Sequence, residues 1–147
     1  MESLMEYLSL NQKSQLTLAV SQSISELQKA AKQIISEYNL PPVYINKELS
    51  QLLISEPKAN YSRVIVNLIS SKSKEIEKEP ILITNIELLF EPSFELDPLV
   101  IFRQTSKNKM FFVLWPGEFK NNILSYASPE HAHYRTWANP GVEIIQV

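Results

Sequence analysis

The chain has no cysteine and only two glycines, Gly117 and Gly141, among its 147 residues. Without cysteine there are neither disulfide staples nor thiolate metal sites, which fits a reducing compartment. Average usage of about 7% would supply roughly ten glycines. Loops that wrap a phosphate with bare backbone therefore have little to be built from, and before Gly117 they have nothing. Positive charge is also lacking: the formal net charge is -2 and the sequence pI about 5.7, so the molecule as a whole presents no field that attracts a nucleic-acid backbone. No stretch approaches the roughly 18 consecutive apolar residues of a membrane span. The opening MESLMEYLSLNQK carries acids where a secretory leader has its basic region. The expectation is a cytoplasmic protein with no membrane partner.

Apolar residues make up 44% of the chain and charged residues 20%, values at which a chain of this length buries one continuous core. One domain over residues 1–147 is expected, with Leu4, Met5, Leu8 and Leu10 suiting a short helix or arm within residues 1–13. Leu16–Val20 is a short apolar run that reads as the first strand. Ser23 with Glu26 three places on has the form of a capping box, and Ile24, Leu27, Ala30, Ala31, Ile34 and Ile35 then recur at helical spacing over about residues 24–37.

Asn39 and Pro41-Pro42 stop that helix, Val43–Ile45 reads as a brief strand, and Asn46–Leu53 suits a helix. Residues 60–74 suit a helix through Val64, Ile65, Leu68 and Ile69, with a strand as competitor because Val64-Ile65-Val66 is β-branched. Residues 71–79 read as a solvated helix end and loop. Ile81–Thr84 has the composition of a strand covered on both faces. Asp97-Pro98 opens a further helix, Met110–Trp115 is a second buried strand ended by Pro116-Gly117, and Val142–Val147 a terminal strand. Such alternation predicts an α/β fold: a mainly parallel sheet of about five strands between helical layers.

Ligands in this architecture bind outside the carboxyl ends of the strands, so the turn after the first strand is the place to look. A phosphate-binding loop there needs GxxxxGK[ST], whose glycines expose backbone N–H groups, whose lysine neutralises phosphate and whose hydroxyl holds magnesium. With Ser21 in the first glycine position, Glu26 takes the second, Leu27 the lysine position and Gln28 the hydroxyl position. Ser23 and Ser25 lie between. As a capping-box acid, Glu26 also takes up the N–H groups that an anion would use.

Further along, Ile81 to Pro92 (ILITNIELLFEP), Leu96-Asp97-Pro98-Leu99, Trp115-Pro116-Gly117-Glu118 and Tyr126 to Arg135 (YASPEHAHYR) together resemble the BrxF family. These are the small P-loop proteins of a subset of bacteriophage-exclusion (BREX) defence systems. The resemblance covers roughly residues 80–136, with a looser fit back to Leu16. It implies a three-layer P-loop NTPase-like domain, and it implies Glu87, Phe90, Asp97, Pro98, Trp115, Pro116, Gly117, Tyr126, His131, Tyr134 and Arg135 as signature or interaction residues. It also implies protein partners in a defence assembly. Against the family's acidic residue at the end of the strand before the Glu-x-Leu-Phe run, this chain has Thr84; Glu87 lies three residues on. Both nucleotide motifs are thus degenerate, and the expectation is a non-catalytic structural or regulatory subunit without nucleotide or other cofactor. The alternatives are an ATPase completed by a partner, drawing on Glu87, Ser23 and Ser25, and a DNA adaptor drawing on Arg63, Lys72, Lys74, Arg103, Lys107 and Lys109.

Other residue groups have two readings each. Glu130, His131 and His133 suit a metal site or a hydrogen-bonded loop, the loop being favoured. Ser125 and Ser128 near His131 invite a nucleophile and base, but no nucleophile elbow or third partner accompanies them. Trp115-Pro116-Gly117 fits a cleft wall or, in preference, a core lid. Tyr134, Arg135 and Trp137 suit stacking on a ligand or closure of the carboxyl-terminal end. Asp97 is expected to be a helix cap.

Overall fold

The computed structural model describes residues 14–147, and the expected arm at 1–13 lies outside them. Five strands form the parallel body: β1 (Leu16–Ser21), β2 (Pro42–Tyr44), β3 (Ile81–Thr84), β4 (Phe111–Lys120) and β7 (Glu143–Gln146), in the order β2-β3-β4-β1-β7. Two more strands, β5 (Ile123–Tyr126) and β6 (Arg135–Ala138), extend β4 by antiparallel pairing. The helices are α1 (Ile24–Tyr38), α2 (Ile45–Leu52), α3 (Tyr61–Glu75) and α4 (Pro98–Thr105).

Alternation along the strands sorts the core into two halves. Leu16, Leu18 and Val20 of β1, Ile81 and Ile83 of β3, and Phe111, Val113 and Trp115 of β4 share one cluster with Ile45 and Leu49 of α2, Ile65 and Ile69 of α3, and Leu99 and Phe102 of α4. Ala19, Leu82, Phe112 and Leu114 point the other way, onto Leu27, Ala30, Ala31 and Ile34 of α1. Three helices thus cover one face and α1 the other, which is the three-layer α/β arrangement expected. For residues 61–75 the helix prevails over the strand, because Tyr61, Ile65 and Ile69 recur every four residues and all three are buried.

Two expectations need correction. β4 does not stop at Pro116-Gly117 but runs on to Lys120. Pro116 pairs with Ser21 as the last residue alongside β1, and Gly117 pairs with Tyr126 as the first alongside β5. Proline lacks the N–H that would continue the ladder, and at Gly117 a Cβ would lie 1.8 Å from the Ser125 carbonyl oxygen. The dipeptide therefore hands the strand from one sheet partner to another. Strands β5 and β6 were not expected at all. The β4–β5 hairpin turns on Asn121-Asn122, both at positive φ (53° and 59°), the backbone of a type I′ turn.

Candidate functional site

Strand β1 lies between β4 and β7, and the chain leaves it through α1 to reach β2 at the far edge. The crevice above the carboxyl ends of β1, β3 and β4 is the expected ligand position. A cleft of about 940 Å³ occupies it. Gln22 and Ile24 come from the turn after β1, Asn46 and Ser50 from α2, Glu87, Leu88 and Glu91 from the turn after β3, Pro116 from β4, and Tyr126, Ala127, Ser128, His131 and His133 from the end of β5 and the loop behind it.

The turn that a phosphate would use is filled by its own side chains. Ser21 Oγ accepts from Ser23 N (3.1 Å) and Ser23 Oγ from Glu26 N (3.2 Å), while Ser25 Oγ sits 3.2 Å from Ser23 Oγ. Leu27 N donates to the Ser23 carbonyl. Only half of the expected capping box forms: Glu26 turns its carboxylate to Lys29, 3.6 Å away and exposed, and Ser21 takes the N–H that Glu26 was expected to hold. Leu27, at the lysine position, is 6% exposed and belongs to the core beneath α1. Gln28 and Thr84 line a separate groove of about 320 Å³ beside Lys32, away from the large cleft.

The large cleft has an acidic wall. Asn46 pins the turn after β3 by accepting from Leu88 N (2.8 Å) and donating its own N–H to the Asn85 carbonyl (2.8 Å). Its Nδ2 lies 3.5 Å from Glu87 Oε2, the one hydrogen bond found for that carboxylate among the described residues. Glu91 accepts from Ser93 Oγ (3.0 Å) and faces His133 Nε2 at 3.8 Å. Among the described residues neither lysine nor arginine lines this cleft.

Aromatic packing stands behind Tyr126 of the cleft. Phe90 stacks on Tyr126 at 3.7 Å and meets Trp115 edge-on at 5.0 Å, and Trp137 closes on both Phe90 and Trp115. Trp115 is fully buried, its Nε1 donating to the Ser125 carbonyl (2.9 Å), so it is core while Pro116 reaches the cleft. Arg135 lies 4.8 Å over the Trp137 ring and donates to the Leu96 carbonyl (2.6 Å). Tyr134 remains exposed. Asp97 caps α4 through Leu99 N and Val100 N and also accepts from Trp137 Nε1 (3.2 Å). The four separated segments at 87–90, 96–98, 115–117 and 126–135 thus converge on one body of contacts beside the cleft.

Tyr126 is 4% exposed, and its hydroxyl has no hydrogen-bond partner among the described residues. Burial, and secondarily the nearby Glu87 charge, raise its pKa above the ordinary 10.0. Ala127 beside it is held at φ 63°, an uncommon conformation for alanine, by its N–H donating to the Pro116 carbonyl (3.0 Å). Both residues line the cleft, and the sequence reading missed Asn46, Glu91 and Ala127.

The remaining candidates do not assemble a reactive site. Ser125 is buried and its hydroxyl exchanges hydrogen bonds with the Glu118 backbone. His131 Nδ1 accepts from His133 N (3.0 Å), and no serine hydroxyl bonds to it among the described residues. Among these residues there is also no group of three potential metal ligands, Glu130 included, and no helix long and apolar enough to cross a membrane. Of the basic residues, Lys72 pairs with Glu48 at 3.5 Å and Lys109 donates to the carbonyls of Ser73 and Ile76 at the end of α3. Arg63, Lys74, Arg103 and Lys107 are exposed. Compared with protein-family models, with curated proteins and with solved structures, the chain matches none.

Proposed function

We propose that the protein is a non-catalytic docking subunit, built on a degenerate P-loop-like fold that does not bind nucleotide by itself and serving a phage-defence assembly of the bacteriophage-exclusion type. The observation that carries the nucleotide-free part is the cleft at the switch point: among the described residues two carboxylates and neither lysine nor arginine line it, and the N–H groups of Ser23, Glu26 and Leu27 are already taken. A triphosphate brought there meets like charge without the lysine, the free backbone nest or the metal-holding acid that stabilise it in P-loop sites. The defence setting rests on the resemblance of residues 80–136, supported by the convergence of its separated motifs beside one cleft. Isothermal titration with ATP and magnesium is expected to give no binding heat, and a micromolar dissociation constant would overturn the reading.

One observation favours a rival, an ATPase completed by a partner: Glu87 lines the cleft with spare acceptor capacity. That reading requires turnover in the reconstituted complex that disappears with Glu87→Ala. Turnover unaffected by the substitution removes Glu87 from it.

A further inference from the structure

The cleft has a chemical preference of its own. Two partly buried carboxylates, Glu87 and Glu91, face it, and no lysine or arginine among the described residues lines it. Among the described residues Glu87 has a single hydrogen bond, at the long limit of 3.5 Å, so most of its acceptor capacity is unused there. Independently, the Tyr126 hydroxyl lies in a residue that is 96% removed from solvent and has no partner among the described residues, although buried polar groups are nearly always hydrogen-bonded. An orphaned hydroxyl and an underused carboxylate on one cavity suit a polar ligand.

Charge decides which ligand. An anion would add repulsion to Glu87 and Glu91, and among the described residues a metal ion finds no set of three donors. What fits is a cation with several directed donors and an apolar stem, since Ile24, Leu88, Pro116 and Ala127 supply apolar wall around the acids. Guanidinium is planar, carries five donors in a fixed fork and stacks on rings. The imidazoles of His131 and His133, 5.5 Å apart, stand on the same cleft. At about 940 Å³ the space is near the upper end of the roughly 300–1,000 Å³ usual for ligand pockets, leaving room for residues on either side of one inserted side chain.

We infer that the cleft receives an arginine side chain from a segment of a partner protein, its guanidinium held by Glu87 and Glu91 and by the Tyr126 hydroxyl. This rests on the docking reading above and gives that docking a chemistry: the partner offers arginine where a P-loop protein would offer its own lysine to a nucleotide.

The test is an amide NMR titration of the whole chain with three probes: a blocked Gly-Arg-Gly peptide, the same peptide with neutral citrulline in place of arginine, and spermidine. The arginine peptide is expected to shift the signals of Leu88, Ala127 and Ser128, with the citrulline peptide at least about tenfold weaker, the loss that follows from removing a charge-assisted hydrogen bond. Glu87→Gln and, separately, Glu91→Gln are expected to weaken the arginine peptide while leaving the spectrum otherwise folded. Equal binding of the arginine and citrulline peptides overturns the inference, as does arginine binding indifferent to both glutamine variants. Spermidine binding as tightly as the arginine peptide overturns the protein partner in favour of a free polyamine. A chain that binds neither ATP nor the arginine peptide loses this inference and keeps the docking reading, whereas ATP binding in the cleft removes both.

Discussion

A methyl group at position 117 has nowhere to go: it would lie 1.8 Å from the Ser125 carbonyl oxygen and 2.8 Å from its carbon. Both are backbone atoms of the paired strand, which cannot swing aside as a side-chain end would. Gly117→Ala is therefore expected to cost about 2 kcal/mol or more, read as a lower midpoint in thermal or urea unfolding, whereas an ordinary exposed glycine would tolerate the change. Tyr126 makes a different prediction. Burial keeps its phenol neutral in the folded state and raises its pKa above 10.0. Below that pH both states are protonated and the group contributes no pH dependence. As pH rises through 10 the unfolded chain loses the proton first, so stability falls until the folded pKa is passed. Tyr126→Phe is expected to flatten this alkaline loss and, because it removes an unpaired buried hydroxyl, to leave stability at neutral pH equal or slightly higher. Urea midpoints of both chains across the alkaline range check it; an equally steep loss in the variant contradicts the assignment.

At the level of elements, the two helix caps differ in what they support. Ser23 caps α1 with one hydrogen bond, to Glu26 N. Asp97 caps α4 through two backbone N–H groups and also receives the Trp137 indole, tying the helix to β6 and the aromatic cluster. Asp97→Ala is expected to cost about 1–2 kcal/mol and Ser23→Ala about 0.5–1 kcal/mol, with the order of the two in chemical denaturation as the readout. These elements were also the readable part of the chain. The 24–37 helix was visible because its apolar residues repeat at helical spacing behind a cap, and β1, β3 and β4 because short apolar runs stood between polar breaks. Strand β5 escaped because Leu124 and Tyr126 are separated by a buried polar residue, Ser125, and because the turn that leads into it from β4 is made by Asn121-Asn122 without a glycine.

For the whole molecule, the sheet order and the core it encloses limit what the site can become. Leu27 stands where a P-loop lysine would, yet it is buried against Ala19, Leu82 and Phe112 on the sheet. Leu27→Lys would place an unpaired ammonium in that core, and we expect a loss of about 3 kcal/mol or more with no gain in ATP affinity. Thermal melting and nucleotide titration of the variant give the two readouts. A stable, nucleotide-binding variant would mean that the turn after β1 is far more adaptable than its hydrogen bonds indicate.

Local chemistry was enough to establish the α/β class, the caps at Ser23 and Asp97, and the absence of a glycine-lysine loop after β1, because each depends on residues within one turn or one strand. The cleft was decided by tertiary structure alone. Asn46 reaches Leu88 across 42 positions and Arg135 reaches Leu96 across 39, and Glu87, Glu91, Tyr126 and His133 line one cleft only because β3, β4 and β5 are neighbours in the sheet. Periodicity tells which side of a strand faces inward, but which strand stands beside it depends on long-range pairing that no local pattern encodes.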